Sequence, residues 1–474
     1  MLPPRSWLGR ERSRFSESTH NTLMMHYHFE DNLTARDCKR HIPHRFVVPA
    51  NSGQINIHFR FAPYCVHSIT NLITLTLFDP GGFRGAGHRD GDSHQVRISA
   101  TEATPGYLPG PLPTGEWIVQ IDTHMIMPGA PVHYSLDLTV AESASTERAT
   151  ASSSKATARK MPRRGAGWYR GDLHTHTHHS DADQRTVADL IQMARDYGLD
   201  FVFLTDHNTI AGLNEMDASD REDLLTAGGI ELTTFWGHAL CLGTREWADW
   251  RIRPDTGEIA RIAAAAYAND QCFVIAHPQA VGDPACTGCT WRYGEMMPGD
   301  ARLVEIWNGA WDCNSNNEQA LALWYDWLNQ GRRLVATAGT DTHSNQDYAN
   351  RPGFNVVYAE SLSEAAILRG LRAGHLYLSA GPQIAFDARN ENGTRWFIGD
   401  TVAEPVALTC AWSNCPADAQ MRVIANGRLF NQWMIGPRGE HEWYLSPDQA
   451  DWVVVEVRSA KDDLLAITNP IFLR

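Results

Sequence analysis

The segment 187–207, VADLIQMARDYGLDFVFLTDH, decides the fold class of the chain. Its first half places apolar residues at helical spacing and reaches Gly198, a residue typical of helix C-termini. The apolar run Phe201–Leu204 then predicts a short buried strand. Asp206 and His207 follow that run directly. The segment therefore predicts a helix–strand unit that ends in polar side chains.

The same unit recurs along the middle of the chain. Helical patterns at 259–267 and 318–328 each precede an apolar run, at 273–276 and 334–337. A further helix is predicted from Ser361 and Glu364, which have the spacing of a capping box, to Gly374. Strands that alternate with helices favour a parallel sheet, either open or closed into a barrel.

The region before this core has a different pattern. Short strands separated by turn residues predict a β-sandwich or jelly-roll domain over residues 21–140; these strands are 55–61, 72–78, 96–98, 117–121 and 134–140. The segment 141–166 is rich in Ala, Ser, Thr and charge, which predicts a flexible linker. Because such a linker cannot dock a domain firmly, we expect the N-terminal domain to be separable.

The core of alternating strands and helices is predicted over 167–382 and a small β-domain over 383–474. The C-terminal strands are expected at 421–425, 452–457 and 471–473, with a hairpin turn at Asn426-Gly427. No comparable linker precedes this last domain, so we expect it to pack against the core.

Composition narrows the function classes. The chain has 474 residues, 43% apolar and 20% charged, with a formal charge of 41 − 55 = −14. No stretch reaches the ~18 apolar residues of a membrane helix, and the N-terminal segment lacks the apolar centre of a secretory signal. We therefore expect a cytoplasmic protein without a membrane partner. The acidic balance makes nucleic acid a less favoured partner than a small molecule.

Histidines and carboxylates are concentrated just after the apolar runs of the core. The candidate metal ligands are His174, His176, Asp181, His207, Glu231, His238, His277, Asp341 and His343. The carboxyl ends of parallel strands meet on one face of a sheet, so these side chains should converge. Imidazole mixed with carboxylate suits zinc, manganese or iron, and the number of ligands predicts two to three divalent ions that share a bridging carboxylate.

Other features are less specific. Arg351 follows the Asp341 loop and is a candidate for holding a phosphate or carboxylate, although a solvated arginine is an equal reading. Cys286-Thr287-Gly288-Cys289 is a single C-x-x-C; a local disulfide, a redox pair and two ordinary thiols all stay open. Walker A, dinucleotide-binding and G-x-S-x-G motifs are absent from the sequence.

The core resembles the PHP (polymerase and histidinol phosphatase) metallohydrolases, and within them most closely the carbaryl-hydrolase-like (CehA/McbA) group. The resemblance covers about 169–382 and rests on GDLHTH at 171–176, SD at 180–181, TDHN at 205–208, IAHP at 275–278 and TDTHS at 340–344, with Glu231 and His238. It implies a distorted (β/α)7 barrel. It also implies three ion sites: the first held by His174, His176, Glu231 and Asp341, the second by Glu231, His238 and His277, and the third by Asp181, His207 and His343.

The expected function is metal-dependent hydrolysis of small molecules. A bound divalent ion lowers the pKa of water from ~15.7 to about 7 and so supplies hydroxide, with Glu231, Asp341 and Arg351 as the catalytic residues. The resemblance slightly favours phosphoesters, and carbamate, ester or amide hydrolysis is the alternative. A PHP-type exonuclease and a non-catalytic binding protein are further alternatives.

Overall fold

The structure is a computed structural model that describes residues 14–15, 24–142, 164–182, 184–219, 223–296 and 301–474. The chain divides into two compact units. The first contains Met1–Thr157, His178–Asp183 and His207–Gly212, and the second contains Ala158–Thr177, Gln184–Asp206 and Leu213–Arg474. Most of the predicted linker, from 143 to 163, lies outside the described residues.

The first unit is built on antiparallel strands. In chain order they are β1 (Arg14–Phe15), β2 (Met24–Leu33), β3 (Arg40–Val48), β4 (Ser52–Ala62), β5 (Cys65–Val66), β6 (Ile69–Thr70), β7 (Leu72–Asp79), β8 (Gly82–Gly87), β9 (Ser93–Ser99), β10 (Gly115–Met125) and β11 (Val132–Glu142), with a 3-10 turn at Ala35–Asp37.

Two sheets of this unit share one apolar core, as expected for a sandwich. Their strand orders are β1-β2-β11-β4-β9 and β3-β10-β7-β8. Alternate residues of the long strands point into the core, where Phe59 and Trp117 are fully buried. All five predicted strands lie inside observed ones.

The second unit combines strands with helices. Its strands are β12 (Gly167–Asp172), β13 (Phe201–Leu204), β14 (Leu225–Thr233), β15 (His238–Leu242), β16 (Cys272–Ile275), β17 (Leu303–Asn308), β18 (Val335–Gly339), β19 (Phe354–Ala359), β20 (Leu376–Ser379), β21 (Gln383–Arg389), β22 (Arg395–Phe397), β23 (Thr401–Val402), β24 (Val406–Ser413), β25 (Ala419–Ala425), β26 (Arg428–Ile435), β27 (Gly439–Leu445), β28 (Trp452–Arg458), β29 (Leu464–Thr468) and β30 (Ile471–Leu473). Its helices are α1 (Val187–Asp196), α2 (Leu213–Ala218), α3 (Glu258–Ala268), α4 (Asn317–Asn329) and α5 (Glu364–Ala373), with 3-10 turns at Gly294–Met296 and Asp347–Asn350.

The central sheet does not show the expected barrel. Its strands follow the order β18-β17-β16-β15-β14-β13-β12-β19-β20-β29-β28-β25-β26. The described residues form five α-helices, fewer than seven βα repeats require. Eight of the twelve neighbouring pairs in this order are antiparallel, including β12/β19, β14/β15 and β15/β16, and antiparallel neighbours need no crossover helix. A closed (β/α)7 barrel is therefore not shown, and the observed architecture is β-rich and multidomain.

The helices begin and end for local reasons. Thr186 caps α1, because its hydroxyl accepts a hydrogen bond from the Asp189 amide at 3.1 Å. The predicted start of α5 is wrong by two residues: Ser363, in extended conformation, is the N-cap, and Ser361 contacts its hydroxyl at 3.1 Å. Gly374 ends α5 at φ +75°, as predicted.

The C-terminal strands continue the central sheet. β29 pairs with β20, and the predicted Asn426-Gly427 turn joins β25 to β26. Arg458 reinforces the connection with two hydrogen bonds of 3.0 Å to Glu318 on α4. No helix in the described ranges has the length and apolar character needed to cross a bilayer.

Candidate metal centre

His174 and His176 lie just after β12 and are fully buried. Residues two apart in an extended chain face the same side, so the two imidazoles point together, with ring centres 5.1 Å apart. Thr175 faces away and anchors the segment, because its hydroxyl donates to the carbonyl of Phe203 at 2.6 Å. The local sequence therefore presents two imidazoles to one point.

Glu231, in β14, lies between two pairs of histidines. One carboxylate oxygen, Oε2, is 3.2 Å from Nε2 of His174 and 3.3 Å from Nε2 of His176. The other oxygen, Oε1, is 3.0 Å from Nδ1 of His238 and 3.3 Å from Nε2 of His277. The carboxylate is fully buried. Each of its oxygens thus faces a separate imidazole pair, which is the arrangement of a bridging ligand.

Asp341 completes the first group. It follows β18, with φ +51°, and its amide donates to the His174 carbonyl at 2.9 Å. Its Oδ1 is 3.0 Å from Nε2 of His176, and its Oδ2 is 4.0 Å from Nε2 of His277. The predicted ligands of the first and second ion sites therefore come together within the second unit.

The donor set of these two groups fits divalent metal ions. The ligand atoms of His174, His176, Glu231 and Asp341 all lie within 4.8 Å of one another. Two ligands about 2.0–2.1 Å from a tetrahedral zinc ion are about 3.4 Å apart, close to the observed nitrogen–oxygen separations. Nε2 of His174 is buried and makes no hydrogen bond within the described chain. Buried imidazoles and carboxylates that converge in this way form a ligand set that can hold a metal ion.

The pKa shifts of the buried ligands also fit a metal site. Burial lowers the pKa of His174, but nearby carboxylates, with Asp341 the strongest, outweigh burial and hold it well above its usual range. Burial raises the pKa of Asp341, but the imidazoles of His174, His176 and His343 together outweigh burial and hold that pKa well below its usual range. Protons on the imidazoles thus balance the carboxylates, and a metal ion must displace them to bind.

Glu305, in the middle of β17, is a functional residue that the sequence prediction missed. Its Oε1 is 3.1 Å from Nδ1 of His174, and its Oε2 accepts from the amide of His277 at 3.0 Å. Asn308 donates to the same carboxylate at 3.0 Å and to Asp341 at 3.3 Å. A carboxylate that holds one imidazole nitrogen leaves the other nitrogen for a metal. A charged residue inside the apolar run 303–307 was the signal that could have identified it.

Asp172 links the two chain segments that carry the first ligand group. Its carboxylate accepts from the amides of His174 and Thr340, at 3.2 and 3.1 Å, and from the Tyr348 hydroxyl at 2.7 Å. Burial raises the pKa of Asp172, and these donors oppose the rise. Arg185 adds a second link, with hydrogen bonds to the carbonyls of His176 and Thr342.

The remaining predicted ligands are distributed over both units. Asp181 and His207 belong to the first unit, where Oδ2 and Nε2 are 3.2 Å apart. His343 belongs to the second unit, and its ring stacks on that of His176 with centres 4.6 Å apart. The third ion site stays a prediction.

Asp181 and His207 lie on two short segments, His178–Asp183 and His207–Gly212. Residues of the sandwich in the same unit contact both segments. Arg89 donates to the carbonyls of His178 and Ser180 at 2.9 and 3.2 Å. The ring of His88 lies 4.6 Å from that of His207. These contacts place both segments with the first unit, and the expectation that residues 1–160 are separable stays a prediction.

Arg351 lies at the end of the 3-10 turn Asp347–Asn350, in the left-handed region at φ +56°. It is exposed and forms no ion pair with any described residue. Together with Trp311 and Lys461 it lines a cavity of about 720 Å³ within the second unit. Its predicted catalytic role stays a prediction.

Comparison with known proteins gives structural neighbours alone. No family model and no curated protein matches the chain. A two-domain protein from Bacteroides vulgatus, described as containing a predicted PHP-like metal-dependent phosphoesterase, is 16% identical, with 65% of this chain and 97% of that chain covered and a TM-score of 0.35. A protein from Bifidobacterium adolescentis, described only by assignment as a metal-dependent phosphoesterase, is 17% identical, with coverages of 37% and 88% and a TM-score of 0.26. Neither description mentions the carbaryl-hydrolase-like group, so that assignment stays a prediction.

Proposed function

We propose that the protein is a metal-dependent hydrolase of small molecules, with phosphoesters as the favoured substrates. The observation that carries the proposal is the carboxylate of Glu231, which faces an imidazole pair with each of its oxygens. In this proposal the first ion is held by His174, His176, Glu231 and Asp341, and the second by Glu231, His238 and His277. Divalent ions in such a site polarise the scissile group and supply a nucleophile from water near neutral pH.

The protein's own residues orient the ligands for this chemistry. Glu305 holds Nδ1 of His174, so that Nε2 of the same ring faces Glu231. Asn308 holds Oδ2 of Asp341. Fixed ligands cost no reorganisation when charge develops in the transition state, which is how such a site accelerates hydrolysis.

Arg351 is the proposed anion-binding residue. It shares the cavity of about 720 Å³ with Lys461 and with three aspartates, Asp312, Asp418 and Asp463, so the lining carries both signs of charge. A guanidinium binds phosphate or carboxylate oxygens in a bidentate manner, which an ammonium group does not. The planar guanidinium of Arg351 is the feature of this cavity that supports an anionic substrate such as a phosphoester.

The proposal is tested with a panel of substrates and metal-loaded protein. The panel contains p-nitrophenyl phosphate, bis-p-nitrophenyl phosphate, 1-naphthyl carbamate and a short labelled oligonucleotide. We expect the highest kcat/KM on one of the two nitrophenyl phosphates, and we expect Arg351→Lys to raise KM for it at least fivefold. The matched control is Arg369→Lys, an exposed arginine on α5 that lies outside this cavity.

Each outcome of the panel is informative. Turnover of the naphthyl carbamate alone would replace the phosphoesterase assignment with carbamate or ester hydrolysis. Preference for the oligonucleotide would indicate a nuclease. A fully metal-loaded protein that turns over none of the four substrates would contradict the proposed reaction class.

A further inference from the structure

The loop 286–289, with the sequence CTGC, packs directly against the second group of ligands. Cys286 and Cys289 form a disulfide, with Cα atoms 5.6 Å apart. Gly288 has φ +81°, and a Cβ at this position would lie 2.1 Å from the carbonyl oxygen of Thr234. The same Cβ would lie 3.1 Å from Nε2 of His238. Only glycine therefore allows this close approach.

Backbone carbonyls of this loop orient both histidines that face Glu231. Nε2 of His238 is 3.2 Å from the carbonyl oxygen of Thr287. Nδ1 of His277 is 3.3 Å from the carbonyl oxygen of Cys289. A carbonyl accepts only from a protonated nitrogen, so these contacts leave Nδ1 of His238 and Nε2 of His277 as the metal-binding atoms. These are the two atoms that lie within 3.3 Å of Glu231.

The sulfur of Cys289 lies beside two of these ligands, His238 and His277. One ligand atom each from His238, His277 and Cys289 lie within 4.8 Å of one another. Within the disulfide this sulfur has no charge and binds metals poorly, whereas a thiolate is a strong ligand for soft and borderline ions such as zinc.

We propose that the Cys286–Cys289 pair makes the second ion site sensitive to redox state, with Cys289 as an additional ligand when the disulfide is reduced. The inference rests on the proposed metal site of Glu231, His238 and His277. In the oxidised protein the site offers nitrogen and oxygen ligands. In the reduced protein it gains a thiolate, which raises its affinity for zinc, cobalt and cadmium relative to manganese.

The redox step is a two-electron reduction by a thiol or a phosphine. The S–S bond accepts two electrons and two protons and gives two thiols. A phosphine reductant such as tris(2-carboxyethyl)phosphine is oxidised to its phosphine oxide, whose oxygen comes from water. Metal binding then displaces the proton of the Cys289 thiol.

The test uses cobalt(II) added to the metal-free full-length protein under anaerobic conditions. A sulfur-to-cobalt charge-transfer band in the near ultraviolet reports thiolate ligation, and d–d bands in the visible report bound cobalt whatever its ligands. We expect the charge-transfer band in the reduced wild type but not in the oxidised wild type. We also expect reduction to raise cobalt affinity at least tenfold.

Two single variants form the matched controls. Cys286→Ser leaves Cys289 as a free thiol, so its charge-transfer band should be present without any reductant. Cys289→Ser should lack the band in both redox states, and it also corrects for the other cysteines of the chain. A band in Cys289→Ser as strong as in the reduced wild type would overturn the proposal, as would its absence from both Cys286→Ser and the reduced wild type.

The wild-type comparison needs no substitution, so the test survives a variant that fails to fold. Visible bands without a charge-transfer band would contradict the cysteine ligand alone. The absence of visible bands in every sample would contradict the metal site itself, and with it the proposed function.

Discussion

Replacing Glu305 with glutamine tests whether this carboxylate positions the metal ligands. Three donors converge on the Glu305 side chain: Nδ1 of His174 at 3.1 Å, the amide of His277 at 3.0 Å and the side-chain amide of Asn308 at 3.0 Å. Glutamine has nearly the same shape but keeps only one carbonyl oxygen. Its NH₂ group must therefore face either the imidazole or the other two donors.

The loss follows from the hydrogen bonds that glutamine cannot make. A hydrogen bond to a charged group in a buried site contributes about 1.5–3 kcal/mol. At 1.4 kcal/mol for each tenfold change in affinity, the loss of one such bond weakens metal binding by about 10- to 100-fold. Removal of carboxylates that hold metal-bound histidines has effects of the same size.

The assay is zinc or manganese affinity, measured by competition with a chelator, together with thermal unfolding of the metal-free protein. Glu391→Gln is the matched control, because Glu391 is exposed in the turn that follows β21. We expect Glu305→Gln to bind metal at least tenfold more weakly than the wild type, and Glu391→Gln to bind it with unchanged affinity. If Glu305→Gln binds metal within twofold of the wild type, the reasoning is refuted.

Three further changes probe other parts of the account. Gly339→Ala places a Cβ 2.0 Å from Oε1 of Glu305 and 2.4 Å from Cβ of His174, so it should lower the free energy of unfolding by about 2 kcal/mol and reduce metal content. In the control Gly165→Ala the new Cβ meets no atom within 4 Å, so thermal unfolding and metal analysis should give the wild-type result. Burial lowers the pKa of His44 from 6.5 to about 4, so the unfolded chain takes up a proton before the folded protein does as the pH falls. The free energy of unfolding should therefore decrease between pH 6.5 and pH 4 by at most about 3 kcal/mol. A His44→Gln variant with the same acid-induced loss would contradict this assignment. Deletion of residues 383–474 removes the partner strand of β20 and the Arg458–Glu318 ion pair, so the product should aggregate in size-exclusion chromatography; a monodisperse, active product would show that the core does not need these strands.

Much of the fold could be predicted because local patterns match the observed elements. The predicted helix at 318–328 lies within Asn317–Asn329, and the predicted hairpin turn at Asn426-Gly427 joins two paired strands. The expected barrel is not shown, and the sequence could not settle the strand order, because the pairing of strands is a non-local property. An apolar run such as 201–204 reads the same whether its neighbour in the sheet is parallel or antiparallel.

The candidate site shows the same division. His174 and His176 were predictable because their alternation fixes their relative direction along one extended segment. Glu305 was not assigned, because its role depends on contacts with residues more than a hundred positions away, including His174. The connection of Asp181 and His207 with the first unit also depends on tertiary contacts, such as those of Arg89.

The most direct test of the metal centre is the metal content of the purified protein and of the double variant His174→Ala/His176→Ala. Elemental analysis of the wild type should give two to three equivalents of zinc, manganese or iron per chain. The double variant removes both imidazoles that face Oε2 of Glu231, so it should lose the first ion and all hydrolytic activity. A folded double variant that retains full metal occupancy would contradict the account.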